Sequence, residues 1–193
     1  RTEEHLRDLN LATLWSISVH ETYPGHFLHF NYQRRTKRTL RKSTLFAPVS
    51  FVEGWAHYCE QMMVEAGLAR EDETIELGQL SRALVGLTRM VVSIRLHTED
   101  MSVEQGVRFF EDNAYLEEGS ARREAERGTF DPSYVLCPAG RLMLLKLRED
   151  IESREGAGFS LRSFHDQLLE QGSVPIWLHR ALMLGDTASE LLD

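Results

Sequence analysis

The sequence predicts an all-α protein, and three observations predict it. Apolar residues recur at three- and four-residue spacing through nearly every segment. Helix-starting and helix-stopping residues punctuate those segments, and no period-two alternation runs long enough to make a strand. With 193 residues, 42% hydrophobic and 27% charged, the chain has the make-up of an ordinary globular protein with length enough for a real core.

The first helix is expected over residues 6–23, where Leu6, Leu9, Leu11, Leu14, Trp15, Ile17 and Val19 mix three and four spacing until Pro24-Gly25 ends the run. Phe27, Leu28, Phe30 and Tyr32 start a second helical stretch, which fades into the basic run Arg34-Arg35-Thr36-Lys37-Arg38. Pro48 and Ser50 open a third helix over about residues 51–66, stopped by Gly67. A long periodic helix follows at 73–97, through Ile75, Leu77, Leu80, Leu84, Leu87, Val91, Ile94 and Leu96. Ser102 with Gln105 is a capping-box signature for a helix reaching about Tyr115. The charged segment 117–127 is expected to be helical, Gly128 and Pro132 mark a loop, and residues 140–152 form another apolar-faced helix. Ser160 caps a helix over 161–171, and Pro175 sits near the first turn of the last one. Gly156-Ala157-Gly158 is a turn too short to link domains, so residues 1–193 are expected to form a single helical unit.

Charge and composition remove several function classes. A net charge of −8 argues against nucleic acid, which calls for a positive surface. The basic residues from Arg34 to Lys42 read as a solvated helix face, or as a rim that steers carboxylates towards a nearby site. No stretch approaches the roughly 18 apolar residues that span a bilayer. The start, Arg1-Thr2-Glu3-Glu4-His5, carries neither an initiator Met nor a signal-peptide pattern, so the compartment is not read from it. Cys59 and Cys137 make no disulfide framework and lie in no CxxC pair; a buried free thiol is the default for each. There is no GxSxG, Walker loop or GxGxxG.

The strongest chemical signal is His20-Glu21-Thr22-Tyr23-Pro24-Gly25-His26. A helix-borne His-Glu pair followed by another His is the logic of zinc peptidases: the histidines hold the metal, and the Glu takes a proton from the attacking water. In the standard form the second His comes one turn later, but here that position is Pro24 and His26 comes two residues on. Six residues of straight helix rotate about 600°, leaving the rings on different faces. The pair therefore works as ligands only with a break at residues 23–25. The plainer reading is a helix-ending turn with a structural histidine.

Glu53, in Phe51-Val52-Glu53-Gly54-Trp55-Ala56-His57-Tyr58-Cys59-Glu60, sits among apolar residues where an unpaired carboxylate is costly. A cation beside it would remove that cost. Glu60, two turns on, is placed to orient a ligand histidine, and His57 to do the same or to act as a further donor; both also suit the solvent face of an amphipathic helix. His97 is a candidate oxyanion donor or a favourable cation at a helix C-terminus. Tyr134 is a second oxyanion candidate, and Arg141 and Arg148 are candidates for a substrate carboxylate.

Taken together, the segments HETYPGHFLH, SFVEGWAHYCEQMM, RLHTEDMSVEQGVRFFEDNAYL, SARREAERGTFDPSYV, GRLMLLKLRED and FSLRSFHDQLLEQGSVPI resemble the bacterial DUF885 family of zincin-like proteins over nearly the whole chain. The resemblance implies a helical zincin-like (gluzincin-type) metallopeptidase fold holding Zn²⁺ on His20, His26 and Glu53. It implies Glu21 as general base and strengthens His97 as an oxyanion donor beside Tyr134. Family members are usually longer, with a helical region before this motif, which implies either a C-terminal portion or a partner chain or homodimer completing the cleft. Two positions depart from the family: Ser93, where relatives tend to have Asp, and Cys137, where they often have Tyr.

The expectation is thus a zinc-dependent hydrolase of short peptides. Two alternatives stand beside it: a non-catalytic helical binding or scaffold module with a remnant metal site, and a metal-dependent hydrolase or lyase of a non-peptide small molecule.

Overall fold

The computed structural model describes Glu3, Arg7 and residues 9–185, and every regular element among them is helical. In chain order these are α1 (Leu11–Glu21), α2 (His26–Arg35), the single turn α3 (Thr39–Lys42), α4 (Val49–Glu65), α5 (Glu73–Thr98), α6 (Val103–Ala114), α7 (Glu118–Gly128), α8 (Leu136–Glu155), α9 (Leu161–Glu170) and α10 (Ile176–Leu184). Short 3₁₀ turns at Pro132–Val135 and Gly156–Gly158 flank α8. The expected first-helix residue Leu6 lies outside the described residues.

Local chemistry sets most boundaries. Asn10 accepts the Thr13 amide at 3.0 Å to cap α1, and Asp72 accepts the Thr74 amide to cap α5. Ser102 and Gln105 form the reciprocal capping box, at 3.2 and 2.8 Å. Helix α8 begins at Leu136, four residues before its expected start at Gly140. Pro138 falls within its first turn, where backbone N–H groups have no helical partner and proline removes nothing. The turn α3 lies inside the basic run and has no apolar periodicity to announce it.

Helix α4 is the hub. Its Phe51, Trp55, Tyr58 and Met62 pack with Leu144, Leu147 and Ile151 of α8 and with Phe164, Leu168 and Leu169 of α9. A second cluster, Val92, Val107, Phe110, Ala114, Ala121 and Ala125, joins α5 to α6 and α7. The closest approach is between α4 and α8. A methyl group on Gly140 would lie 1.8 Å from the Ser50 carbonyl oxygen, and one on Gly54 would lie 2.6 Å from the Gly140 backbone. Only hydrogen fits at this crossing, and it brings the first turn of α8, with Cys137, against the turn of α4 that carries Glu53.

Helices α1 and α5 bury several small and polar positions and leave outside several of the leucines that their apolar spacing would turn inward. Leu11, Leu14 and Trp15 of α1 and Leu77, Leu80 and Leu84 of α5 are exposed. Thr13, Ser16 and His20 are buried along with Val19, and the buried positions of α5 are Ile75, Gly78, Gln79, Thr88, Val92 and Ser93. A Cβ on Gly78 would sit 2.6 Å from the Ala12 backbone, so small residues set this packing distance. The inward polar stripe is held by hydrogen bonds such as Ser16 and His20 to Glu60, which apolar periodicity does not register.

Three histidines are packed into the core around α4. His29 meets the Ser173 hydroxyl at 2.8 Å, Phe51 lies between His29 and His179, and Tyr58 meets His165 Nε2 at 2.8 Å. Burial pushes His29 and His165 down to about 4 and His179 to about 3, from an ordinary 6.5. All three are neutral in the folded chain, whereas the unfolded chain takes up protons below about pH 6.5. Their contribution to stability is therefore complete above that pH and is lost as pH falls towards about 4. We expect the urea midpoint to drop steadily between about pH 6.5 and 4; a flat profile across that window would contradict it.

Candidate metal centre

The turn between α1 and α2 decides whether His20 and His26 meet. His20 lies in the last turn of α1, and His26 is the first residue of α2. Between them the Thr22 amide still bonds the Ser18 carbonyl at 2.9 Å, while the Gly25 amide returns to the Val19 carbonyl at 3.0 Å. The Tyr23–Pro24 peptide is cis. The Pro24 carbonyl accepts the indole N–H of buried Trp55 at 3.0 Å, which ties the turn to α4. The chain folds back so tightly that a Cβ on Gly25 would lie 1.8 Å from the His20 carbonyl oxygen. The break reverses the rotation argued from a straight helix: the two rings lie edge to face, with centroids 4.7 Å apart. Gly25→Ala is accordingly expected to cost at least about 2 kcal/mol, read as a lowered Tm, because backbone rather than a movable side chain must give way.

Glu53 completes the group. Its carboxylate oxygens lie 3.7 Å from His20 Nε2 and 3.6 Å from His26 Nε2, and one atom from each of the three residues lies within 4.8 Å of the others. Two nitrogen or oxygen ligands on a tetrahedral zinc are about 3.4 Å apart, so this spacing fits a shared ion.

Glu60 fixes the orientation. The carboxylate is 2% exposed and accepts from the Ser16 hydroxyl at 2.5 Å, His20 Nδ1 at 2.7 Å, His57 Nδ1 at 3.1 Å and Arg82 Nε at 3.4 Å. Burial pushes its carboxyl up, but the His20 and His57 hydrogen bonds and the Arg82 charge outweigh that and hold it well below the usual range. An ionised carboxylate only accepts, so His20 keeps a proton on Nδ1 and turns Nε2 towards Glu53 and His26; in the metal-free chain Nε2 also carries a proton, which a bound metal would displace. This is the carboxylate–histidine arrangement by which ligand histidines are oriented. Electrostatics also favour a cation here: burial pushes His20 down, yet Glu53 and Glu60 together lift it to about 9. Burial lowers His26 despite the Glu53 charge, and its Nδ1 is buried without a hydrogen-bond partner. The His20 hydrogen bond lowers Glu53 against burial. The donor set therefore fits a Zn²⁺-type ion: two imidazole nitrogens, one carboxylate, and a bound carboxylate behind.

Glu21 closes α1 beside His20, is exposed, and acts electrostatically on His26. His57 presents its ring edge to His20 at 4.7 Å. The remaining candidates have other contacts. His97 is exposed near the end of α5, and its Nδ1 meets the Ser93 carbonyl at 2.8 Å. Tyr134 is buried and donates to Glu124 at 2.8 Å, and Arg89 grips Glu124 with two bonds of 2.7 and 2.6 Å. Arg148 pairs with Glu65 at 2.6 Å. Arg141 keeps a buried Nε without a partner.

Sequence reasoning missed a juxtaposition. Cys137, expected to be a buried free thiol and a departure from the family, is free but half-buried, and its sulfur lies within 4.8 Å of ligand atoms of Glu53 and His57. Burial, then the Glu53 charge, pushes its thiol up to about 11. No local signal announces this meeting, because it depends on the Gly54–Gly140 crossing.

A cleft of about 620 Å³ is lined in part by His57 and Arg82; His20, His26, Glu53 and Glu21 are not among its lining residues. Leu77, Val85 and Leu116 give it an apolar side, and Arg123 lines it. The Arg123 guanidinium donates to the Ser120 hydroxyl at 2.9 Å and pairs with no carboxylate among the described residues.

The family model described as bacterial protein of unknown function (DUF885) matches residues 1–183. No curated protein matches the chain. Two solved structures are similar to it. One is titled a "putative lipoprotein of unknown function" from Shewanella oneidensis, with 28% identity and a TM-score of 0.88 over 94% of this chain and 33% of that one. The other is titled a "putative lipoprotein" from Colwellia psychrerythraea, with 29% identity and a TM-score of 0.84 over 91% of this chain and 30% of that one. The chain thus spans about a third of the length of these neighbours. No helix among the described residues is long and apolar enough to cross a membrane.

Proposed function

We propose, on the premise that this chain belongs to the DUF885 family of bacterial proteins, that it carries the zinc centre of a metal-dependent hydrolase acting on short peptides. One observation carries the reading: Glu60 holds the His20 ring so that its Nε2 faces Glu53 together with His26 Nε2. When bound, Zn²⁺ supplies polarisation of a carbonyl oxygen and acidification of water.

The chain's own residues do the rest. His20, His26 and Glu53 hold the ion, and Glu60 keeps the His20 tautomer fixed as charge develops. Glu21, exposed at the end of α1, takes a proton from the attacking water and returns it to the leaving amine. The cleft that His57 helps to line receives the substrate, its apolar residues taking a side chain and Arg123 a carboxylate. His97 and Tyr134 remain the candidate oxyanion donors from the sequence; each has a present partner, Ser93 and Glu124, which substrate would have to displace. The exposed Leu11, Trp15, Leu77 and Leu80 support the further reading that another stretch of polypeptide, from a longer chain or a partner, packs on α1 and α5.

Elemental analysis of the purified chain tests the centre. His20→Ala and His26→Ala are each expected to lower bound zinc by about one equivalent, and Glu53→Ala at least as much. Zinc content indifferent to all of these changes would leave the His-Glu segment as architecture alone.

A further inference from the structure

We infer that the centre holds a second, thiophilic divalent cation on His57, Cys137 and Glu53, with the Glu53 carboxylate shared between the two positions. The hydrolase reading requires neither His57 nor Cys137 as a ligand, so this is a separate site built on a common carboxylate.

Three features of the fold bring the donors together. His57 lies one turn after Glu53 on α4, so both project from one face. Its Nδ1 is held on Glu60 at 3.1 Å, and with Glu60 accepting, the ring proton resides there and the Nε2 lone pair is free. Cys137 arrives from α8 through the Gly54–Gly140 crossing, and its sulfur, a His57 nitrogen and a Glu53 oxygen lie within 4.8 Å of one another. Sulfur and nitrogen ligands on tetrahedral zinc are about 3.6 Å apart, a gap that modest side-chain rotation closes.

The same residues also suggest a different chemistry, because Cys137, His57 and Glu60 follow the order nucleophile, base, orienting acid. Charge decides between the two. A thiolate at Cys137 would face the Glu53 carboxylate, with Glu60 behind His57. Arg82 is engaged on Glu60 and Arg89 on Glu124, while Arg141, one turn after Cys137 on α8, pairs with none of these carboxylates among the described residues. No sulfur–nitrogen hydrogen bond joins Cys137 to His57 among the described residues. A divalent ion among the three side chains turns that repulsion into attraction, whereas a free nucleophilic thiolate worsens it. The mixed sulfur, nitrogen and oxygen donors select a zinc-like ion and disfavour Ca²⁺ or Mg²⁺, which take oxygen.

Cadmium titration of the full chain, followed by elemental analysis and by the ultraviolet thiolate-to-cadmium absorption, tests this. The unaltered chain is expected to take about two equivalents and to develop the band. Cys137→Ser should abolish the band and about one equivalent while keeping the equivalent that His20→Ala removes. His57→Gln should do the same, and Cys59→Ala, deep in the α4 core, should change neither. One equivalent with no thiolate band, or a band that survives Cys137→Ser, would overturn the second site and leave the hydrolase centre standing. A band lost in Cys137→Ser with cadmium indifferent to His20→Ala would support the second site and sink the first. No bound cadmium at all would overturn both.

Discussion

Replacing Glu60 by alanine is expected to cost about 3–5 kcal/mol of stability and to weaken zinc binding about 10- to 100-fold. The carboxylate is the shared acceptor for Ser16, His20, His57 and Arg82, drawn from α1, α4 and α5. Removing it leaves the Arg82 charge beside buried donors with nothing to accept from them, which is worse than never having buried the group. It also frees the His20 ring to rotate, so Nε2 is no longer held towards Glu53. Urea unfolding of the metal-free protein and a zinc titration measure the two effects separately. A variant that unfolds like the unaltered chain would show that Glu60 is a passenger.

Glu21→Gln is expected to reduce hydrolysis of short peptides by about 10²- to 10⁴-fold with zinc content unchanged. The substitution keeps size and polarity but removes the ability to accept a proton. Glu21 is exposed and is not among the grouped metal-ligand candidates, so metal content is expected to survive the change. Comparing turnover with metal content distinguishes a proton carrier from a ligand. Activity within a few-fold of the unaltered chain would move weight to a binding module with a remnant centre. Zinc-loaded protein that leaves a peptide panel uncut while hydrolysing another small molecule would shift only the substrate class.

The sequence discloses what depends on neighbours along the chain. The capping residues Ser102, Gln105 and Ser160 mark helix starts by chemistry confined to one turn, and α5 is long enough for its period to be plain. Pro24-Gly25 signals a break, and the break is what lets His20 meet His26. Glu53 is legible as a suspect because a carboxylate among apolar neighbours demands a partner, and Glu60 only through its place two turns on, where a solvent face suits it equally from the sequence. What stayed hidden depends on contacts far apart in sequence. The inward small and polar positions of α1 and α5 run against their apolar spacing, since Gly78 lets two backbones approach and leaves several leucines outside. The meeting of Cys137 with His57 follows from the Gly54–Gly140 crossing between helices many residues apart. Nor could residue type alone reveal that His97 lies on the Ser93 carbonyl or that Tyr134 is held by Glu124.

The bond from the Trp55 indole to the Pro24 carbonyl gives the molecule an optical reporter of its own. Of the tryptophans, Trp55 is 1% exposed while Trp15 and Trp177 are about half exposed, at 47% and 46%. A sheltered indole emits at shorter wavelength than wetted ones, so the blue edge of the fluorescence belongs to Trp55. Because that indole holds the turn joining the two histidine-bearing helices, the blue edge registers whether the turn is seated without any label being attached. A quencher confined to water would dim the other two and leave this signal in view, making the seating of His26 observable in real time.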